Sequence, residues 1–148
     1  MNWGNKQVTT HFKAGEFLPN DAGDYIDDPV DFLLRNGQWL LKVSETLRVT
    51  FGPTTINNWL WGGAFNSRGI RLDEGISDIG SKGSRHRKFM ALDCHFKGVT
   101  IPEVHEHIRQ NPEYWLKSGV VRYEKTQGGK PINWLHVDAG VDVYGFNA

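Results

Sequence analysis

Residues 90–96, MALDCHF, alternate in the way that is typical of a strand. Successive side chains of a strand point to opposite faces of its sheet. One face is apolar and consists of Met90, Leu92, Cys94 and Phe96. The opposite face carries Ala91, Asp93 and His95. The pattern therefore predicts a strand with one side in the core and two ionisable side chains on the other side.

Residues 133–138, NWLHVD, repeat this alternation near the end of the chain. Leu135 and Val137 share an apolar face, and the opposite face carries Trp134, His136 and Asp138. If both strands belong to one sheet, Asp93 and His136 converge on the same side. The turn-rich residues 127–131, QGGKP, separate this strand from another one at 120–124 and predict a hairpin.

Helical patterns flank these strands. Residues 27–29, DDP, are a helix-start signal, because acidic capping residues precede a proline preset for the first turn. Leucines then recur at every seventh position, as Leu33, Leu40 and Leu47. This period predicts one amphipathic helix that ends near residues 51–53, with its leucine stripe facing the core.

The remaining residues predict shorter elements around an irregular middle. Residues 54–60 predict a strand, and residues 101–110 and 111–117 predict two short helices. Residues 62–85 are rich in glycine and predict a long irregular segment, which in a compact domain is usually functional or disordered. Together these elements predict an α+β fold, with residues 1–148 as a single domain.

Composition narrows the classes of function. Seventeen Lys and Arg residues balance seventeen Asp and Glu residues, and this zero net charge counts against nonspecific nucleic-acid binding. The basic residues Lys82, Arg85, Arg87 and Lys88 are the weak argument in its favour. No apolar run approaches the ~20 residues of a membrane helix. Residues 1–6 show no secretory signal, so we expect synthesis in the cytoplasm without membrane insertion.

One set of side chains has the composition of a metal site. His86 lies seven residues before Asp93, at the end of the glycine-rich segment, from where it can fold back over the strand. Together with His136 these residues supply two histidines and one aspartate, a ligand set suited to catalytic zinc that keeps a fourth position for water. The alternative is an ordinary hydrogen-bonded His–Asp pair, since the sequence has no H-E-x-x-H signature.

Two segments resemble a known family. Residues 84–93, SRHRKFMALD, resemble the S-x-H-x-x-G-x-A-x-D motif of M15-type zinc peptidases, the D,D-carboxypeptidases and peptidoglycan endopeptidases with the Hedgehog-like fold. Residues 134–138, WLHVD, look like the closing W/F-x-H-x-D segment of that family. The segments at 11–17 (HFKAGEF), 47–52 (LRVTFG) and 69–71 (GIR) are similar to its phage and bacterial branch in the same order.

The resemblance implies a fold, a reaction and roles for several residues. It implies an antiparallel sheet with helices packed on one side, and a Zn²⁺ ion held by His86, Asp93 and His136. Arg71 would contact substrate, with Arg68 in its place if the register is shifted; the alternative for Arg71 is an ion pair with Asp73 or Glu74. Ser84 and Trp134 would also face the substrate, a peptidoglycan peptide.

The same resemblance suggests a phage or prophage lysis enzyme, or a virion-associated one with other virion proteins as partners. A second hypothesis is a non-catalytic phage structural or wall-binding protein that keeps the fold. Two departures favour it: Phe89 replaces the glycine of the motif, so we expect a different backbone there, and Asn133 replaces a common acidic residue. One branch of murein endopeptidases nevertheless carries asparagine in a similar N-F-V-H-V-D segment.

The general base therefore has several candidates. Asp138 lies on the same face as His136 and is the first choice, either as the base or as a partner that orients a zinc ligand. Asn133 lies an odd number of residues away and reaches the site only if a bulge intervenes. His95, on the Asp93 face, is the candidate for stabilising an oxyanion. Glu124, on the neighbouring strand, is the next candidate for the base.

Overall fold

The computed structural model describes residues 3–80 and 84–140. Within these ranges the main chain forms four α-helices and four strands, together with five short 3₁₀ turns. In chain order they are α1 (Pro29–Asn36), α2 (Gln38–Phe51), β1 (Thr54–Thr55), β2 (Ala91–Phe96), α3 (Ile101–Gln110), α4 (Pro112–Ser118), β3 (Arg122–Gln127) and β4 (Lys130–Asp138). The predicted α+β class is confirmed.

The strands form one antiparallel sheet in the order β1-β2-β4-β3. In its register Asp93 of β2 lies directly opposite His136 of β4. On the other side of β4, Glu124 of β3 also lies opposite His136. Side chains of directly opposed residues are neighbours on one face of a sheet. The expected convergence of Asp93 and His136 is therefore confirmed, and the sheet adds Glu124 to the pair.

The other face of the sheet packs against the helices. Leu92 and Cys94 of β2 and Leu135 and Val137 of β4 are fully buried in the main core cluster. The helices contribute Leu40, Val43 and Leu47 from α2 and Ile101, Val104 and Ile108 from α3. Trp115 of α4 stacks on Phe51 with ring centroids 5.6 Å apart. Burial of this apolar face leaves the Asp93 and His136 side free to carry polar groups.

The prediction of one helix from residue 29 to residue 51 is wrong, because the helix is interrupted at Gly37. The Gly37 N–H donates to the carbonyl of Leu33 at 2.7 Å and ends α1, and α2 begins at the next residue. A Cβ at position 37 would lie 2.7 Å from Leu33 Cδ1 and 2.8 Å from Leu33 O, so the last turn of α1 leaves no room for a side chain here. Leu33 and Leu40 are both buried across the break, which is why the leucine period does not reveal it.

The prediction of a strand at 54–60 is also wrong. Only Thr54 and Thr55 pair with β2, and a 3₁₀ turn follows at Trp59–Trp61. The cause is Asn57, which is fully buried and bonds outside the sheet. Its N–H donates to Glu16 O at 3.1 Å, its side chain donates to Leu18 O at 3.2 Å, and its Oδ1 accepts from Arg68 N at 3.0 Å. Asparagine side chains that bond to backbone in this way compete with ladder formation.

The longest helix in the described ranges is α2, with 14 residues. A helix needs ~20 apolar residues to cross a bilayer. No helix in residues 3–80 or 84–140 is long and apolar enough to span a membrane.

Candidate metal centre

A tight turn over residues 84–90 carries His86 into the sheet face. The turn is closed by hydrogen bonds from Met90 N to Arg85 O at 2.9 Å and from Phe89 N to His86 O at 3.3 Å. Phe89 has φ 62°, the left-handed conformation that favours glycine. Glycine, the residue that the M15-type motif has at this position, would adopt this conformation easily. The Phe89 ring packs edge-on against Phe32, with centroids 5.4 Å apart.

This conformation leads to a stability prediction. We expect Phe89→Gly to be more stable than Phe89→Ala by about 1 kcal/mol, because both variants lose the ring but only glycine is free of the left-handed penalty. Urea unfolding of the two purified variants measures the difference. At Val49, an exposed position in α2, the alanine variant should be more stable than the glycine variant, since glycine is the poorer helix former. An alanine variant at Phe89 that equals or exceeds the glycine variant in stability would contradict the strain argument.

Three side chains meet on the polar face of the sheet. Asp93 Oδ2 lies 3.2 Å from His86 Nε2, and Asp93 Oδ1 lies 2.8 Å from His136 Nδ1. One nitrogen from each histidine and one carboxylate oxygen lie within 4.8 Å of one another. The exposed fractions are small, with His86 at 3% and Asp93 at 9%. The structure therefore brings together the three residues predicted as metal ligands, in a group that could hold a metal ion.

The hydrogen bond of the His86 ring determines which nitrogen faces this group. Nδ1 lies 2.8 Å from the carbonyl oxygen of Gly69, an acceptor, so Nδ1 donates to it, and in the neutral ring Nε2 carries the lone pair. Nε2 is buried and has no hydrogen-bond partner among the described residues, although the Asp93 carboxylate is 3.2 Å away. A cation between the two atoms, either a proton on Nε2 or a metal ion bound by both, makes this close approach favourable. The donor set thus fits a metal ion.

The His136 ring is held between two carboxylates. Its Nδ1 contacts Asp93, and its Nε2 lies 2.9 Å from Asp138 Oδ2. Burial disfavours the charged ring, but the hydrogen bonds with Asp138 and Asp93 outweigh it and raise the pKa of His136 to about 9. When a metal takes Nδ1, Asp138 can keep the proton on Nε2, which is the usual support for a histidine ligand.

Burial alone would raise the pKa of Asp93 and of Asp138, but the hydrogen bonds and charges of their partners lower both pKa values. Interactions with His136 and His86 hold the pKa of Asp93 well below its usual range. Asp138 accepts hydrogen bonds from His136 and from the Arg122 guanidinium at 2.9 Å, which lower its pKa to about 2. The backbone N–H of Gly140 also donates to Asp138 at 2.8 Å. A fully buried carboxylate with all these partners is a weak proton acceptor, so the structure favours the orienting role of Asp138.

The cluster lies in an open cavity of about 430 Å³. Of the residues predicted to contact substrate, the cavity is lined by Arg71, Ser84 and Trp134. Arg71 Nη2 is 3.7 Å from Asp93 Oδ2, and its Nε donates to Ser67 O at 2.9 Å. Among the described residues Arg71 forms no ion pair with Asp73 or Glu74, the alternative partners; Asp73 instead pairs with Arg87 at 2.8 Å. Burial lowers the pKa of Arg71, and Asp93 acts against this effect.

Arg68, His95 and Asn133 are not among the residues that line this cavity. Arg68 Nη1 lies 2.7 Å from His95 Nδ1, and the guanidinium stacks 3.6 Å above the Phe65 ring. His95 and Asn133 line another depression of about 320 Å³. The pairing of β4 with β3 is irregular here, because residues 132–135 of β4 face the single residue 125 of β3, but Asn133 still lines the other depression and not this cavity. The placement therefore gives no support to an oxyanion role for His95 or a water-holding role for Asn133, nor to Arg68 as a substitute for Arg71.

Sequence reasoning missed Arg122 and gave Glu124 only a secondary place. Both residues line the cavity, and their side-chain direction could have been inferred from alternation along β3. The pairing of Glu124 with His136 could not be inferred from alternation, because a bulge between Glu124 and Thr126 shifts the register of the hairpin.

Comparisons of the chain with protein-family models, curated proteins and solved structures found no match. The likeness to M15-type peptidases thus rests on the motif residues of the chain itself, 84–93 and 134–138.

Proposed function

We propose that this protein is a zinc-dependent peptidase that cleaves peptide bonds in the stem peptides or cross-links of peptidoglycan. The observation that carries the proposal is the His86–Asp93–His136 group, in which the buried His86 Nε2 has no hydrogen-bond partner among the described residues and lies 3.2 Å from the Asp93 carboxylate at the wall of an open cavity. The same residues occupy the ligand positions of the M15-like motif. Geometry and resemblance thus support one ligand set.

Zinc is the metal that suits this set, because two imidazoles and one carboxylate form a three-ligand catalytic site. When bound, zinc supplies Lewis acidity, which makes water a nucleophile near neutral pH and polarises a carbonyl. The chain holds the ligands in place through bonds behind them. Gly69 O orients His86, and Asp138 orients His136.

Arg71 is the residue that we propose to bind the substrate next to the cluster. Its guanidinium lines the cavity and is held by Ser67 O through Nε, which leaves the terminal nitrogens directed to the Asp93 side. Paired N–H donors of this kind suit a planar carbonyl or carboxylate. Ser84 and Trp134 form other parts of the cavity wall, where they would contact the peptide.

Glu124 is the residue that we propose as general base. It lies opposite His136 in the sheet, and its side chain is 41% exposed. It also lines the cavity, where it has access to water and is not held by a short ion pair as Asp138 is. In this role Glu124 takes a proton from the attacking water and delivers it to the leaving amine.

The setting in which the protein would act is also a proposal. A phage or prophage lysis enzyme, or a virion component that works with other virion proteins, would act on the cell wall of the host. A non-catalytic wall-binding protein is the second candidate, and the specific observation in its favour is Asn133, which occupies the position of a common acidic residue and lies outside the cavity.

Digestion of purified peptidoglycan tests the proposal and separates the two candidates. We expect zinc-loaded protein to release new amino groups from the wall, a chelator to stop the release, and added Zn²⁺ to restore it. New amino groups show peptide-bond cleavage, and reducing sugar ends measured in parallel should stay constant. Protein that holds zinc and binds the wall, but releases no amino groups, would contradict the peptidase proposal and favour the wall-binding protein.

A further inference from the structure

Three arginines line the cavity, and two of them are already engaged. Arg122 donates to Asp138 through Nε and Nη2, at 3.1 and 2.9 Å. Arg71 donates to Ser67 O and lies near Asp93. The guanidinium of Arg85 has no hydrogen-bond or ion-pair partner among residues 3–80 and 84–140, and its Nε is buried there. A buried donor without a partner is rare in proteins and calls for an explanation.

The backbone of Arg85 is fixed in the turn that delivers His86. Its carbonyl accepts from Lys88 N at 3.1 Å and from Met90 N at 2.9 Å. The side chain therefore starts from an anchored position one residue before the predicted zinc ligand, and it lines the same cavity. An anchored arginine with free donors is prepared to bind an acceptor that comes from outside the chain.

The charge balance of the cavity indicates the sign of that acceptor. Among the described lining residues, Arg71, Arg85 and Arg122 are balanced by Asp93, Glu124 and Asp138. A divalent cation on neutral histidine ligands would leave the cavity positive overall. Such a cavity attracts an anionic ligand, and a carboxylate is the planar partner that matches a guanidinium.

We propose that Arg85 binds a free carboxylate of the substrate, distinct from the bond that is cleaved, and so makes the cavity selective for acidic peptides. The inference rests on the proposed function and specifies its substrate class: stem peptides whose acidic residue carries an unmodified carboxylate. Amidation of that carboxylate removes the charge and one acceptor, so the amidated peptide binds more weakly.

Binding, measured apart from turnover, tests this inference. The probes are two synthetic peptides that contain D-glutamate, one with its free carboxylate and one with a carboxamide in its place. Calorimetry with zinc-loaded protein should show that the acidic peptide binds about 10- to 100-fold more tightly, the range of a charge-assisted hydrogen bond. Arg85→Gln should reduce this preference to less than about threefold, and Arg85→Lys should restore part of it.

Lys88→Gln is the matched control, because it removes the same charge from the same turn at a position that does not line the cavity. It should retain the preference of the unmodified protein. Equal binding of the two peptides by the unmodified protein, or an undiminished preference in Arg85→Gln, would overturn the inference. Selective binding without release of amino groups from peptidoglycan would contradict the proposed peptidase while leaving the role of Arg85 supported.

Discussion

Replacement of His86 by alanine is expected to abolish the binding of one zinc ion per chain and, with it, the release of amino groups from peptidoglycan. Loss of a direct ligand should weaken zinc binding by more than the about 10- to 100-fold that loss of a supporting partner costs. Zinc content after dialysis, together with a competition titration, measures the effect.

His86 is the informative ligand because two groups in the described structure could hold a metal and share His136. One contains His86 and Asp93, and the other contains Glu124 and Asp138. A His86→Ala variant that still binds one zinc ion with unchanged affinity would assign the metal to the second group. His95→Ala is the matched control, since His95 contacts Arg68 away from the cavity, and this variant should keep its zinc.

Replacement of Glu124 by glutamine is expected to lower kcat by about 10²- to 10⁴-fold, the usual contribution of a positioned general base. Glutamine keeps the size of the side chain but cannot take a proton from water. Zinc affinity should stay close to that of the unmodified protein, because Glu124 is not part of the group formed by His86, Asp93 and His136. Kinetics with soluble wall fragments at saturating zinc provide the measurement.

Asp138→Asn provides the comparison for Glu124→Gln. Asp138 supports His136 from behind and is held by Arg122, so this variant should bind zinc about 10- to 100-fold more weakly. At saturating zinc its kcat should fall much less than that of Glu124→Gln. The opposite result, with Glu124→Gln fully active and Asp138→Asn inactive while zinc is bound, would identify Asp138 as the base.

Much of the candidate site follows from local pattern alone. Alternation in residues 90–96 and 133–138 is enough to place Asp93 and His136 on one face, because side chains of a strand alternate whatever its neighbours are. The same alternation predicts the buried Leu92 and Leu135, and the helical patterns at 101–110 and 111–117 predict α3 and α4 close to their observed bounds. These features depend on backbone geometry and local burial, which a short stretch of sequence specifies.

Other features depend on partners that are distant in sequence. Asn57 leaves the sheet because Glu16, Leu18 and Arg68 offer it hydrogen bonds. No local pattern in the chain predicts such contacts.

The roles of Asp138 and Glu124 also depend partly on local sequence and partly on the tertiary structure. Alternation places Asp138 beside His136 and makes it eligible as a base. Only the tertiary structure shows that Arg122 lies opposite Asp138 and Glu124 opposite His136. The ion pair of the buried Asp138 carboxylate with Arg122 makes Asp138 a weak base, whereas Glu124 remains partly exposed at the cavity. Sequence determined which groups share a face, and strand register, set by long-range pairing, decided which of them is free to accept a proton.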